Sequence, residues 1–134
     1  MAFTIQHDSM GEVQVPADAL YGPQTQRALD NVTISTRTMP AHFIRCLAQL
    51  KRAAALANVA CGALDEELAG AIVNAAQQVA AGEYPEQFPV GVFQTGSGTS
   101  TNMNMNEVLA RLASDSSGRQ VHPNDHVSCS QSSN

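Results

Sequence analysis

The sequence predicts a mainly α-helical domain with one short β-hairpin near its N-terminus. Three observations carry that expectation. The 134 residues are 43% hydrophobic but only 4% aromatic, and much of the apolar content is alanine, the best helix former and a side chain small enough for helices to pack closely. Two long segments repeat their apolar residues every three or four positions, the period of one helix face. Alternation of the kind a half-buried strand shows is confined to the start of the chain. The length suits one domain with its own core.

The elements follow in order. "TIQHDSMGEVQVP" alternates around Asp8-Ser9-Met10-Gly11, with Val13 and Val15 on one side of the second arm, so it reads as a hairpin that Pro16 ends. From Ala41 to Cys61, the residues Phe43, Leu47, Leu50, Ala54, Ala57 and Cys61 form a continuous apolar stripe, and Gly62 stands where a left-handed residue closes a helix. In the next helix Asp65 is the cap, Glu66 and Glu67 suit its positive end, and Leu68, Ile72, Ala75, Ala76 and Val79 make the buried face. Gly82 closes that helix, and Pro85 and Pro89 are expected to hold the following segment extended. A third helix is expected over Asn104 to Ala113, with Asn104 and Glu107 as a capping box and Val108, Leu109 and Leu112 facing inward. The cluster Asp115-Ser116-Ser117-Gly118 reads as a loop. No internal repeat or low-complexity tract is present.

Charge narrows the function. Seven Lys and Arg against twelve Asp and Glu give −5 with no basic run, which argues against nucleic acid and anionic membranes as partners. A small anion remains a candidate ligand if its site is locally positive. No window of about 18 apolar residues occurs, and Met1-Ala-Phe-Thr-Ile has neither the basic nor the apolar region of a secretion signal, so a cytoplasmic chain is expected. Cys46 and Cys61, if on one helix, lie roughly 22 Å apart, and with Cys129 they make an odd set best read as reduced structural thiols.

Two polar stretches carry the chemistry. "TGSGTSTNMNMNEV", Thr95 to Val108, sets hydroxyls, amides and the glycines 96 and 98 at a helix start, where free N–H groups attract carboxylate or phosphate. It lacks the lysine of a P-loop and the third glycine of a dinucleotide fingerprint. Alone, such a run is more often an ordinary loop and cap. "VHPNDHVSCSQSSN", Val121 to Asn134, is a second such cluster in the same small domain. His122 and His126 are spaced for a metal, but Pro123 interrupts the helical face and no third ligand is evident, so no metal is assigned. The plain reading of "HPND" is a turn followed by a capped helix from near Asp125.

"GSGTSTNMNMNEV" and "VHPNDHVSCSQSSN", together with "MGEVQVPADALYGPQTQR" from Met10 to Arg27, resemble the class II fumarases of the fumarase/aspartase superfamily. The resemblance implies the N-terminal domain of that fold over residues 1–134, cut before a central helical bundle. It also implies reversible hydration of fumarate to L-malate without a cofactor. On matching positions it implies substrate-carboxylate binding by Ser97, Gly98 and Thr99 and by Ser132, Ser133 and Asn134, and a secondary anion site at His122, Pro123, Asn124 and Asp125. It places the catalytic acid and base beyond Asn134, makes the whole enzyme a homotetramer and leaves the fragment alone without turnover. Departures occur at Arg111-Leu112, where an Asn-Arg pair is common, and at Ser128-Cys129, where Asn-Lys is frequent. The rival readings are aspartate ammonia-lyase, whose members usually carry Gly-Ala-Gly-Thr and Gln-Ser-Thr-Asn in place of "GSGT" and "QSSN", and a non-catalytic helical anion-binding or assembly module.

Overall fold

The computed structural model describes residues 1–132; the binding roles expected of Ser133 and Asn134 fall outside the described residues. Strands β1 (Phe3–Asp8) and β2 (Gly11–Pro16) pair antiparallel with Asp8 opposite Gly11. The turn closes where the Met10 N–H donates to Asp8 Oδ1 at 2.8 Å, and Gly11 takes a φ of +118° that other residues rarely adopt. Val13 and Val15 point inward, as their alternation predicts.

Four helices follow: α1 (Pro23–Asn31), α2 (Ala41–Ala60), α3 (Glu66–Ala80) and α4 (Thr99–Ser117). Helix α1 is not among the elements that apolar periodicity predicts, although Gly22-Pro23 offers a helix start with proline at N1. Its partner is the hairpin: Arg27 donates through Nε to Asp8 Oδ2 at 2.8 Å and through Nη2 to Asp8 Oδ1 at 3.0 Å, a two-pronged pair.

Helix α3 is built as expected. The Asp65 carboxylate accepts the Leu68 N–H at 3.0 Å, and all five predicted core residues are buried. Both α2 and α3 end on a left-handed glycine in one pattern: Ala63 N–H to Asn58 O at 2.8 Å after Gly62, and Glu83 N–H to Gln78 O at 3.1 Å after Gly82. The segment after Gly82 is not simply extended, because Pro85–Gln87 forms one 3-10 turn.

Helix α2 buries a different face from the predicted one. Its buried residues are Ile44, Ala48, Lys51, Ala55 and Asn58, whereas Phe43 is 43% and Leu50 61% exposed. Leu47 and Ala54 are half-buried, and Ala57 and Cys61 are exposed. Packing against α3 turns Ile44, Ala48 and Ala55 into the core, and distant hydrogen-bond partners make burial of Lys51 and Asn58 tolerable.

Helix α4 is the central element, buried continuously from Thr101 to Ala110. It begins at Thr99, with Gly98 in the left-handed region, and runs through the expected loop to Ser117. The proposed capping box therefore does not exist: Asn104 and Glu107 lie inside the helix, and Leu112 is only partly buried. Asn104 donates instead to Gln87 O at 2.9 Å. Among the described residues, no helix is long and apolar enough to cross a membrane, and Cys46, Cys61 and Cys129 are free thiols.

Candidate functional site

The two polar stretches build two separate clefts. The first, of about 390 Å³, lies between the N-terminal half of α2, the loop into α4 and the segment after the Pro123–Val127 turn. Ser97, Gly98, Thr101 and Asn102 form one wall and Gln131 and Ser132 another, so two of the predicted binding segments meet here. Thr99 stands beside the wall, its hydroxyl 2.9 Å from that of Ser97. The loop is braced from behind by Gln94, whose Oε1 accepts the Thr101 N–H at 3.1 Å and whose Nε2 donates to Thr101 Oγ1 at 2.7 Å.

The floor of this cleft carries Lys51, which lies outside both polar stretches of the sequence. It is the only lysine in the chain and is 2% exposed. Its ammonium donates to Gln131 Oε1 at 3.0 Å. Burial pushes its pKa down to about 8. Gln131 in turn donates to Val127 O at 2.9 Å, and Asn58 Nδ2 donates to Cys129 O at 2.9 Å, so the polar residues of α2 fasten the segment that carries Ser132. The remaining side of the cleft is the exposed stripe of α2: Phe43, Leu47, Leu50 and Ala54. The signal available in the sequence was a lone lysine interrupting an apolar helix.

The second cleft, of about 520 Å³, is lined by the hairpin tip, the start of α1, the middle of α4 and His122, Pro123 and Asn124. Asp125 does not line it; its carboxylate is exposed and 3.7 Å from His122 Nδ1. Pro123–Val127 is a single π-turn, not a helix starting at Asp125, and its cap is His122, whose Nδ1 accepts the N–H groups of Asn124 at 3.1 Å and Asp125 at 3.2 Å. His126 Nδ1 accepts the His122 N–H at 2.8 Å. Both rings thus spend a nitrogen on the backbone, and among the described residues no cluster of three or more His, Cys, Asp or Glu is placed for a metal.

Glu107, the only charge in the first polar stretch, belongs to this second region. Its carboxylate accepts the N–H groups of Gln24 at 2.9 Å and Thr25 at 2.8 Å and the Thr25 hydroxyl at 2.6 Å. It therefore caps α1 from another helix, satisfying donors that Gly22 has no side chain to reach. Burial pushes the Glu107 carboxyl up, opposed by the hydrogen bonds from Thr25, Gln24 and Gly22. A Cβ on Gly22 would stand 2.5 Å from Glu107 Oε2, which explains the glycine there.

The family model described as "Lyase" matches residues 11–134. A curated relative from Nitrosomonas europaea, named fumarate hydratase class II, is 57% identical over 96% of this chain and 29% of its own length. One from Halobacterium salinarum with the same name is 55% identical over 98% of the chain and 29% of its own length. Among solved structures, the class II fumarase of Schistosoma mansoni superposes with a TM-score of 0.93 at 41% identity, covering 98% of this chain and 29% of that one. The fumarate lyase:delta crystallin of Brucella melitensis gives a TM-score of 0.93 at 42% identity, covering 98% of this chain and 33% of that one. The chain thus spans about three tenths of the length of the relatives it matches.

Proposed function

This chain belongs to the lyase family matched over residues 11–134, and from that premise we propose that it supplies part of the substrate site of a fumarate hydratase interconverting fumarate and L-malate. Residues 1–134 serve in this reading as the N-terminal domain of a cytoplasmic homotetramer acting in the tricarboxylic acid cycle. The observation that carries the reading is the meeting of the Ser97 loop and Ser132 over the Lys51 ammonium in a cleft whose lining, among the described residues, has no carboxylate.

The chemistry explains why such a cleft suits a dicarboxylate. Hydration of fumarate passes through a carbanion whose charge spreads into the adjacent carboxylate, so that group must be held more tightly in the transition state than in the ground state. Hydroxyls and amides held in place by the fold do this with little reorganisation, and they introduce no competing base. Ser97, Gly98, Thr99 and Ser132, with Ser133 and Asn134, are assigned to carboxylate binding, and His122, Pro123, Asn124 and Asp125 to a secondary anion site. The acid and base are assigned to residues outside this chain.

The test is loss of fumarate's ultraviolet absorbance on adding the full-length protein in ammonium-free buffer. A fall is expected. No change without ammonium, followed by a fall when ammonium is added, would replace hydration by ammonia addition.

A further inference from the structure

We propose that Lys51 is a positioning residue whose charge, acting through Gln131, sets where the segment bearing Ser132 stands across the cleft from the Ser97 loop. This rests on the dicarboxylate reading of the cleft.

Three observations converge on it. The ammonium is buried, and among the described residues its hydrogen-bond partner is the neutral Gln131 amide, 3.0 Å away. A buried cation without a counter-charge is costly; burial is what lowers its pKa, and among the described residues no carboxylate offsets it. A cation held at that cost in the floor of a cleft is matched when a carboxylate enters above it. Second, Gln131 is the hub of its segment, passing the hold of Lys51 on to Val127 O at 2.9 Å and Cys129 O at 3.2 Å. Third, the groups facing Lys51 do not titrate near neutrality: Ser97, Gly98, Thr101 and Asn102 come from the loop and α4, Gln131 and Ser132 from the segment, and α2 adds apolar side chains. Cys129, the titratable residue of that segment, turns its thiol to Ala63 O at 3.8 Å. The proton on Lys51 is therefore the charge in this lining that changes in the mildly alkaline range.

The experiment compares the full-length protein with K51M and K51R by two readouts. Amide hydrogen exchange without ligand is expected to quicken about tenfold over residues 128–131 in K51M, the loss of one charge-assisted hydrogen bond, and to stay close to wild type in K51R. The wild-type KM for fumarate is expected to rise above pH 8. In K51M it should be raised about tenfold already at pH 7 and be flat with pH, with kcat little changed. In K51R it should stay flat to about pH 9.5, because the guanidinium keeps its proton. Unchanged exchange in K51M, or an alkaline rise of KM persisting in either variant, overturns the proposal. Should K51M fail to fold, the K51R profile decides alone. A wild type that does not hydrate fumarate sinks the proposed function, while the exchange comparison still judges the positioning role.

Discussion

The two clefts have similar sequence composition and opposite internal economies. Both gather hydroxyl- and amide-bearing segments beside α4, and both read as anion sites from sequence. In the His122 cleft the donors are already engaged: the N–H groups of Asn124 and Asp125 turn to the His122 ring. Its lining also contains two carboxylates, Asp8 and Glu107, each serving to hold α1. Among the described residues, the lining of the Ser97 cleft is neutral apart from one buried cation. The lesson is that polar composition marks a place where donors gather, while the charges that the fold sets among them decide what kind of ligand the place suits.

The contrast can be broken or sharpened by substitution. The largest expected effect is that of S97A in the full-length protein, a loss of about 10²- to 10³-fold in kcat/KM for fumarate, the scale of one transition-state donor. H122A is expected to leave kcat/KM within about tenfold, since a group not touching the reacting carboxylate contributes little to its stabilisation; equal losses would erase the distinction. E107Q should lower folding stability by about 3 kcal/mol, because an amide nitrogen cannot accept the α1 donors, and this would show as a lower urea midpoint. G22A, which crowds the same carboxylate, should cost about 2 kcal/mol.

A pH effect follows from Lys51. Its pKa is about 8 in the fold against 10.5 for an ordinary lysine, so between those values the unfolded chain binds more protons and stability rises with pH. Below pH 8 the cost of the buried charge is present in full. Urea melts of the ligand-free protein should show this rise from pH 8 to 10.5 in wild type and not in K51M. The smallest effect belongs to R111A: the exposed pair of Arg111 Nε with Asp115 at 3.1 Å should be worth less than about 0.5 kcal/mol.

What was legible in the sequence was what is decided locally. The hairpin, the Asp65 cap and the two glycine closures depend on neighbours in the chain and stand where the residues put them. The buried face of α2 was not legible, because Lys51 and Asn58 are satisfied by Gln131 and Cys129, partners 80 and 71 residues away. The start of α4 was missed for a related reason: its threonines and asparagines are poor helix formers on their own, and partners such as Gln94 and Gln87 O satisfy them inside the fold. Glu107 looked like a cap for its own helix and caps another, across 82 residues of chain. Of the candidate site, the Ser97 loop and Ser132 were named from their motifs, while the lysine beneath them could be seen only once α2 had been turned to its true face.

The most direct measurement is a crystal structure of the full-length protein with a non-reactive dicarboxylate such as succinate. A carboxylate about 3 Å from the Ser97 hydroxyl, in the cleft floored by Lys51, is the predicted result. Succinate held only in the His122 cleft, with the Ser97 cleft empty at saturating ligand, would contradict it.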